Sequence, residues 1–264
     1  MFAIRRAVTP IAASIAALVA LCFAIPAHGQ QVSSSSPQPA PQQAAQPAPQ
    51  PAAQSYVGRY DLFGGFTNLD SPHIGLNENG YHIQAGVNPR RWYSLGVDYS
   101  NSNGSLDLTP SLLPTDKQQQ LAAELAQLLA AGLILPTYKL SVPTDSFTQT
   151  FAAGPQLEYR HFRSATLFLR PSVGAIRERA TPHPQDPVAV LVAASLAPAG
   201  YKIDWAAFYG FGGGADLTVT KHFAIRAQFD FVHDHLFNDL LKDGRNTLRL
   251  SIGPSFHFGK NVSQ

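Results

Sequence analysis

Ser251-Ile252-Gly253-Pro254-Ser255-Phe256-His257-Phe258 is the stretch that decides the fold. Leu248, Leu250, Ile252, Phe256 and Phe258 lie on one face of a period-two pattern, and Arg249, Ser251, Gly253, Ser255 and His257 on the other. Successive side chains of a strand point to opposite faces, so the aromatic face must meet something apolar while the charged face meets something polar. A strand with lipid on one side and a polar lumen on the other has this alternation.

The same period recurs along the chain. Residues 223–231 set Phe223, Ile225, Ala227, Phe229 and Phe231 against Ala224, Arg226, Gln228 and Asp230. Residues 209–219 set Tyr209, Phe211, Ala215, Leu217 and Val219 against Gly210, Gly212, Gly214, Asp216 and Thr218. Segments 60–66, 81–87, 93–99, 151–159 and 167–175 follow suit, so eight strands are expected. Asn88-Pro89-Arg90-Arg91, the stretch around His161 to Ser164, and Thr220-Lys221-His222 read as tight turns, whereas 69–80, 101–146, 177–204 and 234–246 read as long connections. Short turns on one rim and long loops on the other are the asymmetry of a membrane barrel, and an even strand number places both ends of the barrel on the turn side. The expected fold is all-β: an eight-stranded antiparallel transmembrane up-and-down β-barrel with a short helix in an outer loop. After the N-terminal leader, no stretch approaches the roughly 18 consecutive apolar residues of a spanning helix.

A water-soluble barrel of this size would turn its polar face to solvent. Here the face rich in Phe, Leu and Tyr has no second layer to cover it, so the polar face is assigned to the inside. That assignment brings Asp61, Asp98, Glu158, Arg160, Arg170, Asp216, Arg226, Asp230 and Arg249 into one lumen. Buried ions of both signs must pair, and a barrel of eight strands is just wide enough for side chains to fill. A lumen plugged by paired charges is therefore expected, with a narrow pore lined by the same residues as the alternative. Gly210, Gly212 and Gly214 supply room for large neighbours.

The N-terminus reads as an export signal. Arg5 and Arg6 precede an apolar stretch over 11–25, and Ala27-His28-Gly29 offers the small residues a signal peptidase needs, so residues 1–29 are expected to be removed. Residue Cys22 follows Leu21, where a lipoprotein signal needs a small side chain, so it is an ordinary leader residue and takes the only thiol with it. Of the 19 basic side chains two are lost with the leader and none of the 17 acidic ones, which leaves the remainder formally neutral. That balance excludes the basic footprint of a nucleic-acid binder. Residues 30–54, almost only Gln, Pro, Ala and Ser, are expected to be a disordered linker with an extended reach of roughly 75 Å. Residues 55–264 are the barrel.

Ser251, Gly253, Phe256 and Phe258 together resemble the C-terminal signal by which outer-membrane barrels are recognised for assembly. With the leader and the rim asymmetry, residues 55–258 resemble the small OmpA-like and OmpX-like barrels of Gram-negative bacteria. That resemblance implies a place in the cell outer membrane. It also implies contact with outer-membrane lipid and lipopolysaccharide, and handling by the barrel assembly machinery. The tail 259–264 departs from the family, many of whose members stop at the terminal Phe.

Little in the chain points to catalysis. There is no phosphate-binding loop, paired-cysteine zinc motif or Gly-x-Ser-x-Gly elbow, so neither an enzyme nor a cofactor is expected. Asp230, His233, Asp234 and His235 could in principle hold zinc. Lipid A deacylases are also eight-stranded barrels with a rim histidine and serine two apart, but here that spacing gives His233 and His235 and no serine. Polar rim residues are the preferred reading, with no metal. Residues 116–135 predict a helix capped by Thr115 or Asp116, with Leu121, Leu125, Leu128 and Leu129 on one stripe. A second apolar run spans 188–196, and the two are expected to pack together as a lid, or else to face a cell-surface or cell-wall partner.

Overall fold

Period-two patterning runs through every strand of the computed structural model, which describes residues 56–241 and 244–262. The leader and linker expected over 1–54 lie outside those residues. The strands are β1 (Gly58–Ser71), β2 (Leu76–Arg90), β3 (Tyr93–Leu108), β4 (Val142–Tyr159), β5 (Ala165–Pro182), β6 (Lys202–Thr218), β7 (Phe223–Asp234) and β8 (Arg245–Asn261). They pair in chain order, every pair antiparallel, and β8 closes back onto β1 with Tyr60 opposite Phe258 and Thr67 opposite Ser251. No helix among the described residues is long and apolar enough to cross a membrane.

The two faces are inverted relative to a soluble barrel. Phe66 is 54% exposed and Phe231 59%, while Arg170 is 0% and Arg226 1% exposed. Outside, aromatic side chains meet across neighbouring strands: Tyr99 with Phe151 at 4.9 Å between ring centroids, Phe223 with Phe256 at 5.2 Å and Tyr60 with Phe258 at 5.6 Å. Cross-strand pairs of this kind stabilise a sheet face. With an outer face this apolar, the barrel needs a hydrocarbon solvent.

Strands run longer than hydropathy indicates, from 12 residues in β7 to 18 in β4 and β5. The long connection expected over 69–80 is instead a four-residue turn, 72–75, between β1 and β2. Ile74 N–H donates to Ser71 O at 3.2 Å and Gly75 N–H to Pro72 O at 3.3 Å, with Gly75 at φ +67°. The reason is that the outward side chains Asn68, Asp70, Asn77 and Asn79 are polar while Leu69 and Leu76 point inward, so the apolar-out, polar-in alternation lapses while the ladder continues. Asn68 faces Asn79, its amide donating to the side-chain oxygens of Asn77 (3.1 Å) and Asn79 (3.0 Å). The remaining outer connections, 109–141, 183–201 and 235–244, are long, against turns at 91–92, 160–164 and 219–222.

Two helices sit in the outer loops. The first, α1 (Thr115–Ala130), is shorter than the expected 116–135 and its N-cap is Pro114, not Thr115 or Asp116. It ends at Gly132, whose φ of +69° lets its N–H reach Leu129 O (3.0 Å) and the next N–H, of Leu133, reach Leu128 O (2.9 Å). This left-handed closure, natural for glycine, stops the helix before Pro136 can. The second, α2 (Pro187–Leu196), is capped by Asp186, whose carboxylate accepts from Val188 and Ala189 N–H.

Candidate functional site: the lumen and its outer mouth

Inward side chains stack in tiers. Near the turn rim, Glu158 accepts from Ser94 Oγ at 3.0 Å and Gln156 Nε2 at 2.9 Å, and pairs with Arg160, which in turn donates to Arg91 O at 2.9 Å. Beside them, Arg226 grips Asp216 through Nε (2.7 Å) and a second nitrogen (2.8 Å), and its Nη1 lies 3.9 Å from Asp61. The Arg226 guanidinium also lies 4.9 Å from the Phe168 ring centroid and 5.6 Å from that of Phe63, both inward aromatics. Two-pronged carboxylate bonds and ring faces together compensate a fully desolvated guanidinium.

The middle tier spans the lumen. Arg249 of β8 donates to Asp230 of β7 (Nε at 3.0 Å, Nη2 at 2.8 Å) and reaches Asp98 of β3 (3.2 Å). Arg170 of β5 holds the other oxygen of Asp98. His82 lies 3.4 Å from Asp98 and hydrogen-bonds Ser251 Oγ at 3.0 Å. Above them, Arg245 pairs with Glu178 (2.5 Å) and Asp234 (3.1 Å), Ser146 donates to Glu178 (2.8 Å), and Thr148 donates to Glu78 (2.9 Å).

All nine charges assigned to the lumen from sequence therefore lie in the two lower tiers, Arg160 at the edge of the first. The upper tier, with Glu78, Glu178, Asp234 and Arg245, and the buried His82 stand outside the lumen set expected from the sequence, where Asp234 figures only as a rim ligand. Each continues the inward parity of its strand, which is the available signal; the four charges lie beyond the expected segments, whereas His82 lies within 81–87 and is uncharged by type.

Glycines make the tiers possible. A Cβ on Gly212 would stand 2.0 Å from Asp230 Oδ1 and 2.5 Å from Phe229 O, and one on Gly86 2.4 Å from Asp61. In the terminal motif, Ser251 points inward to Thr67 and His82, Phe256 and Phe258 point outward, and Gly253 is where β8 lies against β1, its Cβ position 2.3 Å from Gly64 O.

The rim cluster does not converge. Alternation turns Asp230 and Asp234 into the lumen and leaves His233 and His235 partly or fully exposed, their rings 4.9 Å apart and edge-on. His233 Nδ1 is occupied by Asn246 Oδ1 at 2.8 Å. Four ligands cannot meet one ion from two sides of a sheet.

At the outer mouth the inner face turns apolar. Leu113, Leu121, Leu140, Val142 and Ala189 are buried in one cluster, with Leu125, Tyr138 and Val192 against it. The two loop helices thus share a core, as expected of the apolar runs, but only part of the α1 stripe enters it: Leu129 is 42% exposed. Tyr138 Oη donates to Asp186 at 2.8 Å, tying the first loop to the cap of α2.

No protein-family model and no curated protein matches the chain. Among solved structures it is similar to Ail, the attachment invasion locus protein of Yersinia pestis in complex with the heparin analogue sucrose octasulfate, at 12% identity over 76% of this chain and 99% of that one, with a TM-score of 0.44. It is similar also to Neisserial surface protein A, at 11% identity over 75% and 96% of the two chains, with a TM-score of 0.46. The outer membrane protein OprG from Pseudomonas aeruginosa matches at 10% identity over 78% and 99%, with a TM-score of 0.38. At such identities the likeness is one of fold.

Proposed function

We propose that this chain is an outer-membrane barrel with a structural and surface-interaction role, its lumen closed by paired side chains and its working surface formed by the outer loops. One observation carries the closed lumen: Arg249 ties β8 to β3 and β7 at once, placing a fixed ion-paired side chain across the barrel's middle. Through-flow would require that tie to part, and buried pairs are costly to break. The apolar outer face supports contact with lipid and lipopolysaccharide, and Phe256 and Phe258 are available on that face to the assembly machinery. Leu133 and Leu135 beyond α1 and Val190 and Leu191 on α2 stand exposed on the loops, where a cell-surface or cell-wall partner would meet them.

Single-channel recording in a planar bilayer tests the reading. The wild-type barrel should give no stable conductance steps, and Arg249→Ala should introduce them. Reproducible steps in the wild type that change on Arg170→Ala would replace the closed barrel by a small passive pore for ions or solutes.

A further inference from the structure

Directly above the ion-paired tiers, the mouth encloses a cavity of about 70 Å³. Its walls are Leu106 and Leu108 of β3, Val142 of β4, and Phe237 and Leu240 of the last outer loop, and its roof is the inner side of α2 with Val192, Ala193 and Leu196. Three lining residues have polar side chains, and each is already engaged. Thr144 Oγ1 donates to Val142 O at 3.0 Å, Glu178 accepts from Ser146 and Arg245, and Lys202 pairs with Asp239. A water held there needs two to four polar partners, and those groups are spoken for, so the space favours an apolar guest.

The roof has a second peculiarity. Pro187-Val188-Ala189-Val190-Leu191-Val192-Ala193-Ala194-Ser195-Leu196 is apolar nearly all round: Ala189 and Ala193 are buried, yet Leu191 on the opposite side is 67% exposed. A helix apolar on every side is ordinarily buried or in lipid. Here the side that lines the cavity is Val192, Ala193 and Leu196, so the roof offers a guest no polar side chain.

We infer that the mouth is a binding site for the end of a single hydrocarbon chain, as in a fatty acid or a lipid acyl tail. The site is a dead end. Glu178, held by Arg245, forms part of the floor, so the guest is retained at the outer surface and not passed through the lumen. The volume holds a few methylene groups, which selects a narrow chain terminus, one no wider than a diazirine, over an aromatic or fused ring system.

The test uses decanoic acid carrying a diazirine at its far end, photolysed with the protein in lipid nanodiscs, with adducts mapped by mass spectrometry. Adducts should fall in peptides covering α2 and residues 236–241, saturate with probe, and be displaced by excess decane. Filling the cavity with Ala193→Leu should lower that labelling about tenfold, while Leu191→Ala on the outer side of α2 should leave it unchanged. Leu240→Phe makes the same comparison from the opposite wall should Ala193→Leu fail to give a heat-modifiable, folded barrel. Labelling that is unaffected by both filling variants, or confined to lipid-facing strand residues such as Trp205 and Phe231, would overturn the inference.

Discussion

Arg249 bridges two carboxylates, Asp230 on one side and Asp98 on the other, and reaches the hydroxyls of Ser100 and Thr150 at 3.4 Å. Because it is fully buried, truncating it leaves Asp230 without a cation and takes one of its two arginines from Asp98, and Arg249→Ala should destabilise the barrel by about 3 to 5 kcal/mol in urea titrations followed by tryptophan fluorescence. Removing Asp230 as well should recover part of that loss, since an uncompensated charge is the costly species; strictly additive losses would argue that the pair is not coupled. Gly212 makes the complementary case through sterics. Its missing Cβ would fall 2.0 Å from Asp230 and 2.5 Å from a backbone oxygen, so Gly212→Ala should cost about 1 to 3 kcal/mol by overpacking. An unchanged midpoint would mean that β6 and β7 can spread at no cost.

Among the elements, α2 depends on one oxygen. Asp186 Oδ1 accepts from Val188 N–H (3.0 Å), Ala189 N–H (2.9 Å) and Tyr138 Oη (2.8 Å). The Ala189 N–H above all, with the Tyr138 hydroxyl and Val188 N–H adding, holds the carboxyl below its ordinary range against a smaller opposing effect of burial. The Tyr138 hydroxyl is pushed up to about 12, by burial first and then by this carboxylate. A carboxyl whose folded value is depressed contributes stability that is present above its unfolded value of about 3.9 and fades as pH falls through the folded one. Asp186→Ala should therefore loosen α2 by about 1 kcal/mol without unfolding the barrel. In pepsin digests stepped downward from about pH 5, cleavage within 183–201 should begin in the wild type only at the acid end. Asp186→Ala should be cut throughout the series, and equal onset in both proteins would remove the cap from the account.

For the whole molecule the decisive quantity is which face meets lipid. Phe211 is 51% exposed on the outside of β6, opposite Phe231 and beside the middle tier. In a bilayer a cation there is forced into hydrocarbon, so Phe211→Arg should cost about 2 to 4 kcal/mol in liposome unfolding. An exposed position on a water-facing sheet would tolerate the change within about 0.5 kcal/mol, and that outcome would refute the membrane orientation.

Local alternation was enough to identify the strands, their order, the inverted faces and the nine lumen charges of the two lower tiers, because a side chain's face follows from its parity alone. The same argument reached the apolar character of both loop helices. It did not reach the height of the wall. Where Asn68 faces Asn79 and Ser100 faces Thr150, inner and outer side chains are both polar, so pairing continues with no hydropathy signal to mark it. Only closure of the sheet placed Asp98 between arginines of β5 and β8, two and five strands further along the chain, and only the packing of α2 over the extended wall enclosed an apolar mouth above a polar lumen. Parity is a property of neighbouring residues, whereas tiers and cavities are properties of residues as distant as His82 and Ser251, 169 positions apart, brought together by the registers of the closed barrel.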